Sequence, residues 1–419
     1  MKKPVFSTSA RSRRPPTPFR RAAATLGLRP RPRLRLSPSA WPAVLLSAAF
    51  LAAGCGKRDR PVRIAVAAPL TGDMGTEGQG LSRAVELAVE EANAAKALPF
   101  RVEVAPFDDR ADPQEAVNVA NLIALDPRIA AVVGHYNSGC CIAAARVYAQ
   151  AGMAMVTPSA TNPEVTLQQT REGWPGPRTV FRLVPTDDVQ GAYAASFMVQ
   201  RLRKRTVALV HDGTAYGRDL TAEFKKVFTR LGGKVLLEDC LDPRAKEARK
   251  LIARVKSADP QAVYFAGVYT EAGVFVKGMR TAGLKAVFVS GDGAKTPGFF
   301  DVAGEASDGA YVSMVGVPVE VLPSAKDFVE RYRERWKKSG EGLKPYDHLA
   351  YEAARIVLAA MERAGRDRAG IVSAIRRRPH AGFMGTVVFD AKGDVRTKVV
   401  TMTQARYKDR GFAVIPFVP

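Results

Sequence analysis

The residues with chemical potential sit in loops that follow predicted β-strands. The run Gly134-His135-Tyr136-Asn137-Ser138-Gly139 puts a hydroxyl, Ser138, at a predicted helix start. Unpaired N–H groups and the macrodipole make such a helix end attractive to anions. The loop Thr157–Glu164 (TPSATNPE) adds the hydroxyls of Ser159 and Thr161, with Ala160 and its backbone donors between them. His211–Gly217 contributes the phenol of Tyr216, and Ser290–Gly293 (SGDG) ends a strand with the Asp292 carboxylate between glycines. Taken singly, each composition also makes an ordinary turn. Taken together, they supply donors for a carboxylate and an acid for an ammonium, the chemistry of a receptor for a zwitterion.

Catalytic signatures are missing from the same loops. Pro69–Gly80 (PLTGDMGTEGQG) is glycine-rich but has neither the GxGxxG spacing nor a GK[ST] end, so it reads as a flexible, pocket-lining loop. GxSxG and HExxH do not occur, and His135, His211, His348 and His380 are far apart in sequence. The chain is therefore expected to be no enzyme, and to need no cofactor and no metal. Of its four cysteines, Cys140 and Cys141 are neighbours and Cys240 is remote, so small buried thiols are expected rather than a disulfide framework.

The elements that must position these loops alternate in type. Short apolar strands are predicted at 62–68, 100–107, 130–134 and 153–157, with helices at 80–95, from 113 (Asp112 capping, Pro113 first) and at 138–150. A second series has strands at 206–210, 234–238, 262–266 and 286–290, with helices at 216–231, 245–257 and 271–282. Alternation of this kind predicts an α/β fold of two doubly wound, Rossmann-like lobes with parallel sheets, parted near Phe181–Pro185. Residues 171–178 (REGWPGPR) read as a surface loop between the lobes. Helices then dominate 324–378, including a long one from Pro345, before late strands at 385–390 and 398–404.

Ahead of the lobes lies an apparent address. Residues 1–56 hold eleven of the 63 Lys and Arg and none of the 41 acids, so residues 57–419 carry +11 of the formal +22. That remaining surplus is spread over many segments and reads as a solvated surface rather than a nucleic-acid site. Trp41–Gly54 (WPAVLLSAAFLAAG) is too short to span a bilayer but fits the apolar stretch of a secretory signal. Leu51-Ala52-Ala53-Gly54-Cys55 resembles a bacterial lipobox, which implies removal of residues 1–54, lipid on Cys55 and a linker over 55–61.

Over residues 62–404 the chain resembles the leucine/isoleucine/valine-binding protein family, the type I periplasmic binding proteins of ABC importers. The resemblance is carried by pieces in the family's order: the opening strand and loop, Phe107-Asp108-Asp109 with Asp112-Pro113, Gly134-His135, Thr157–Glu164, His211–Gly217, Tyr264–Gly273, Gly283-Leu284-Lys285, and Phe389-Asp390 with Gly393-Asp394. It implies lobes of 62–183 with 315–392 and of 184–314 with 393–419, joined by three crossings that form a hinge. It also implies that Ser138, Ser159, Ala160 and Thr161 hold the ligand carboxylate and amino group, that Tyr216 closes over them, and that Asp292 pairs with the ammonium.

Other positions depart from the family. Val268, next to Tyr269, and Glu77 stand where branched-chain binders place aromatics around the ligand side chain, and Ala111 and Asn137 replace paired cysteines. Glu77 is expected either to face solvent at the cleft mouth or to meet a polar ligand tail. The implied protein is a monomeric periplasmic lipoprotein, held to the membrane only by its anchor, that delivers an amino acid to an inner-membrane ABC permease. The alternative is an amide- or urea-type sensor of the same fold acting on a regulatory partner.

Overall fold

A computed structural model describes residues 60–419 apart from 242–247 and 341. The leader and Cys55 lie outside the described residues. Five strands, β1 (Val62–Ala68), β2 (Val102–Asp108), β3 (Ile129–Gly134), β4 (Ala154–Thr157) and β5 (Val180–Arg182), form a parallel sheet in the order β2-β1-β3-β4-β5. Strands β1 and β3 are rich in Val, Ile and Ala, and β1, β3, β4 and β5 bury nearly every side chain, as a sheet covered on both faces requires. One face carries α1 (Gly75–Ala94), and the other carries α2 (Pro113–Leu125) and α3 (Ser138–Gln150). Asp112 caps α2 by accepting from the Glu115 N–H at 2.8 Å, with Pro113 in its first turn.

The second sheet contains β6 (Thr206–His211), β7 (Lys234–Cys240), β8 (Ala262–Ala266), β9 (Val287–Ser290), β10 (Tyr311–Val315), β13 (Val400–Arg406) and β14 (Gly411–Ile415), in the order β14-β13-β10-β9-β8-β6-β7. Helices α4 (Asp187–Ser196) and α5 (Ala215–Arg230) cover one face, and α6 (Arg249–Ala258) and α7 (Tyr269–Thr281) the other. This sheet is not wholly parallel, as the alternation had suggested. Strands β13 and β14 run antiparallel to β10 and to each other, because the chain returns to this edge as a hairpin without an intervening helix.

Between β10 and β13 come the helices α8 (Lys326–Trp336), α9 (Asp347–Ala364) and α10 (Arg368–Arg377) and a small hairpin, β11 (His380–Gly382) with β12 (Gly385–Val387). Residues of α8, α9 and α10 share one apolar cluster with β1, β3 and α1, so the chain passes three times between the layers. Among the described residues no helix is long and apolar enough to cross a membrane.

Three local expectations change. The glycine-rich segment after β1 is not a loose loop, since α1 begins at Gly75. Its glycines serve close packing: a Cβ on Gly78 would lie 1.9 Å from the Pro69 carbonyl oxygen. Residues 171–178 are exposed but belong within the first layer, because β5 follows them and pairs with β4. Cys140 and Cys141 are buried, and burial raises both thiols, Cys141 to about 12; Cys240, however, is exposed at the end of β7, the edge strand.

One ion pair fastens the crossings. Arg182, at the end of β5, is fully buried and donates Nε to Asp394 Oδ1 at 2.9 Å, with Nη2 on the same oxygen. The rest of its fork reaches Thr166 Oγ1 at 2.8 Å and the carbonyls of Asn162 at 2.6 Å and Ala160 at 3.3 Å. Gly393 lets the strands approach: its φ is +102°, and a Cβ there would lie 2.1 Å from the Val180 carbonyl oxygen. Burial raises the Asp394 carboxyl, but Arg182, Thr166 and Lys392 outweigh it and hold its pKa below the usual range. Asp394→Asn should cost about 3–5 kcal/mol of stability in urea unfolding at neutral pH, because a buried guanidinium loses its counter-charge. A depressed carboxyl contributes stability above its unfolded pKa and loses it as pH falls through the native value. The gap between wild type and variant should therefore close on acidification.

Candidate functional site

The loops at the carboxyl ends of both sheets converge on one cavity of about 290 Å³. Ser138 is the first residue of α3, and Ser138, Gly139 and Cys140 line the wall. The first N–H groups of a helix lack intrahelical partners. Asn137, the capping residue, makes no side-chain cap, so these donors stay available to an anion in the cavity.

The 157–164 loop is held from behind. Thr157 Oγ1 accepts from the Ala160 N–H at 3.2 Å, while Arg182 grips the Ala160 and Asn162 carbonyls. Ser159 and Thr161 consequently line the cavity, and Ala160 turns its methyl into the core with its amide already engaged. Ser159 Oγ donates to the Tyr136 carbonyl at 2.8 Å. Thr161 Oγ1 and the neighbouring Asp187 Oδ2 are buried without a well-formed hydrogen bond, although Thr161 is near enough to favour the Asp187 carboxylate.

From the second layer come Tyr216, Val268 and Asp292. Asp292 is buried and heavily solvated by protein. Its Oδ1 accepts from the Tyr216 hydroxyl at 2.8 Å and Gln190 Nε2 at 2.9 Å, and its Oδ2 accepts from the Tyr346 hydroxyl. Burial raises its pKa, and the bonds from Tyr346, Tyr216 and Gln190 oppose the rise. Oδ2 keeps an acceptor direction, since each carboxylate oxygen takes about two hydrogen bonds. Gln190 also donates to Asp187 Oδ1 at 3.2 Å. Burial, reinforced by the charge of Asp292, pushes the Asp187 carboxyl well above the usual range. One of the two buried acids thus holds a proton readily, and Asp292, on the cavity wall, is the one placed to meet a cation.

Two sequence candidates lie elsewhere. Glu77 is 1% exposed, which corrects the expectation of a solvent-facing side chain at the cleft mouth. It is also absent from the cavity wall, so it meets no ligand tail there. Its Oε1 accepts from Thr296 Oγ1 at 2.7 Å and its Oε2 from Thr76 Oγ1 at 2.7 Å. Glu77 lies on α1 and Thr296 beside Asp292, so the bond crosses the cleft. Tyr269, likewise off the wall, donates its hydroxyl to the Asp73 carbonyl across the same gap. Val268 does line the cavity, with its N–H on Asp212 Oδ2 at 3.2 Å. Ala111 and Asn137 line it too, so the positions that depart from paired cysteines widen the wall with a methyl and an amide.

Tyr136, Tyr346 and Gln190 were not singled out from sequence. Tyr136 and Tyr346 line the cavity and meet edge-on, ring centroids 5.6 Å apart. Tyr346 had only the helix start at Pro345 to mark it, and Gln190 lay in a stretch with no assigned element. The histidine nearest the cavity's serines is not placed to activate them. His135 spends its ring nitrogens on Asp109 Oδ2 at 2.6 Å and the Tyr148 hydroxyl at 3.0 Å, away from both serines. Among the described residues no group of His, Cys, Asp and Glu is placed to hold a metal.

Comparison with known proteins agrees with this geometry. The family model described as periplasmic binding protein matches residues 61–411. The chain belongs to the periplasmic binding protein family. A Leu/Ile/Val-binding protein homolog 2 of Brucella abortus is 33% identical over 353 residues, covering 84% of this chain and 92% of the relative. A leucine-, isoleucine-, valine-, threonine-, and alanine-binding protein of Pseudomonas aeruginosa is 31% identical over 338 residues, 80% and 87% of the two chains. Among solved structures, a leucine-binding protein of Thermotoga maritima superposes with a TM-score of 0.76 at 29% identity, covering 85% of this chain and 98% of its own. A solute-binding protein of an ABC transporter from R. palustris, in complex with benzoate, shares the fold, with a TM-score of 0.73 at 17% identity, 85% and 95% covered. These relatives are binding proteins of the type I periplasmic fold, and membership implies a periplasmic location.

The Glu77–Thr296 contact yields a direct test. A hydrogen bond to a charged group is worth about 1.5–3 kcal/mol. Glu77→Ala and Thr296→Val should each cost about 1.5–3 kcal/mol of stability in urea unfolding, by removing the bond that crosses the cleft. The double variant should lose little beyond either single one, as for two halves of one bond. Additive losses would show that the two side chains act separately.

Proposed function

We propose that this protein is the lipid-anchored, periplasm-facing substrate-binding component of an ABC importer, and that it closes two lobes around an amino acid. The observation that carries this reading is the opposition, across one cavity, of the α3 N-terminus with Ser138, Ser159 and Thr161 to the buried acid Asp292. A carboxylate satisfies the first and an ammonium the second. An amide or urea would leave Asp292 without a counter-charge in a buried site, which favours the amino acid over the sensor reading.

The proposed lobes are 62–183 with 315–392 and 184–314 with 393–419. Support comes from the apolar cluster shared by α1, α9 and α10 and from the pairing of β13 with β10. The side-chain end of the cavity is lined by Ala111, Pro113, Ala215 and Val268. With Glu77 turned away, these apolar groups suit an aliphatic amino acid, and the names of the relatives from Brucella and Pseudomonas point the same way. Val268 is smaller than an aromatic and leaves room for side chains longer than that of valine. The protein acts as a monomer, with the inner-membrane permease as its partner and without nucleic acid.

Asp292→Asn keeps the shape of the site and removes its charge. It should cost about 2–5 kcal/mol of leucine affinity in calorimetry. In competition, leucine should bind at least tenfold more tightly than glutamine, arginine or small amides; a polar ligand winning would move the protein out of the aliphatic class. The anchor has its own test. Wild-type protein made in a Gram-negative host should incorporate labelled fatty acid, and Cys55→Ser should abolish the label.

A further inference from the structure

A second recess of about 260 Å³ lies between α9, α10 and β11, and it shares no lining residue with the amino-acid cavity. Arg355 and Arg363 reach it from one face of α9, two turns apart, and Arg378, at the end of α10, faces them with His380 beside it. No acidic residue lines the recess. Among the described residues, Arg363 and Arg378 form no ion pair with a carboxylate.

Arg355 lays its guanidinium over the Tyr351 ring, 5.9 Å from the centroid, and its charge adds to those of Arg363 and Arg378 to raise the positive potential around the recess. The position of Arg363 and Arg378 at helix C-termini makes each of them locally favourable. It does not explain why they converge with Arg355 on a single hollow. Glu352, which feels the charge of Arg355, is buried with Oε2 accepting the Phe383 N–H at 2.6 Å. Burial raises its carboxyl to about 7, against the Phe383 N–H and the charge of Arg355, so it neutralises Arg355 only in part near neutral pH. His380 is held by the Ile375 carbonyl at 3.3 Å. Burial lowers its pKa and the charge of Arg363 adds to the effect, which leaves it a neutral hydrogen-bonding neighbour. Ile356 and Pro379 supply an apolar rim.

We propose that this recess is an anion site that takes a phosphoryl group, carried either by free phosphate or by an anionic phospholipid headgroup. Planar guanidinium forks match phosphate oxygens in pairs, as lysine cannot. A carboxylate presents fewer oxygens to the forks of Arg363 and Arg378 and the nearby charge of Arg355, so the tetrahedral anion is the better match.

The protein and every variant, all in the Cys55→Ser form so that no acyl anchor inserts into the vesicles, would be titrated with inorganic phosphate by calorimetry and, separately, sedimented with phosphatidylcholine vesicles with and without phosphatidylglycerol. The double variant Arg363→Gln with Arg378→Gln would be set against Arg201→Gln with Arg203→Gln, which removes two exposed arginines elsewhere. The recess variant should lose about tenfold or more in phosphate affinity, and the control should stay within about twofold, because only the first removes charge-assisted bonds. Leucine binding and the melting temperature should be the same in both, which separates loss of the site from loss of the fold. Losses in both phosphate and vesicle binding identify a headgroup site, and loss in phosphate binding alone identifies a soluble anion. Equal losses in the recess and control variants, or no binding of either probe by wild type, would overturn the proposal. Arg363→Lys with Arg378→Lys, which keeps charge but not the fork, should fall between wild type and the Gln variant.

Discussion

The guanidinium of Arg182 has no exposed surface, and its position governs both the crossings between the layers and the cavity wall. Taking such an ion out of water costs several kcal/mol, so its environment must supply a full set of acceptors. Those acceptors are Asp394 on a crossing segment, Thr166, and two carbonyls of the loop that carries Ser159 and Thr161. One side chain therefore fixes the distance between the strand that leaves the first layer and the strand that enters the second. It also fixes the backbone from which the cavity's hydroxyls project.

The opposite wall is organised by the same logic with the charge reversed. Asp292 is buried with the donors of Tyr216, Gln190 and Tyr346 around it, and those donors come from three separate segments. A carboxylate so rigidly solvated would reorganise little on meeting a cation, so in the function proposed above recognition rests on geometry already in place. The closing contacts lie outside this polar centre, at Glu77 with Thr296 and Tyr269 with Asp73. Recognition and closure are thus assigned to different residues on the same surfaces.

Much of this was legible in the chain. Strand and helix alternation gave the two layers, because runs such as VRIAVAA and the spaced apolar faces of the helices leave few other folds. That Ser138, Ser159, Thr161, Tyr216 and Asp292 line one cavity was readable because loops after the strand ends of open sheets gather at one place, and strand ends were visible. Gln190 and Tyr346 were not, since each acts on Asp292 from over fifty residues away and neither follows a predicted strand. Glu77 was misplaced for a related reason. Its partner Thr296 is 219 residues distant, and only the folded cleft shows that a carboxylate there has a hydroxyl to meet. The hairpin β13–β14 was half seen, because antiparallel pairing at an edge depends on which strand is already waiting.

The order in which the chain is made gives the Arg182–Asp394 pair a temporal meaning. The two residues are 212 positions apart, and β13 and β14, which complete the second sheet, come later still. Each layer is assembled from pieces at both ends of the sequence, so contacts of high sequence separation must close before either is whole. A nascent chain shorter than 394 residues offers Arg182 no counter-ion and offers β10 no antiparallel neighbour. Until synthesis is nearly finished, the polypeptide lacks the bonds that join its two layers.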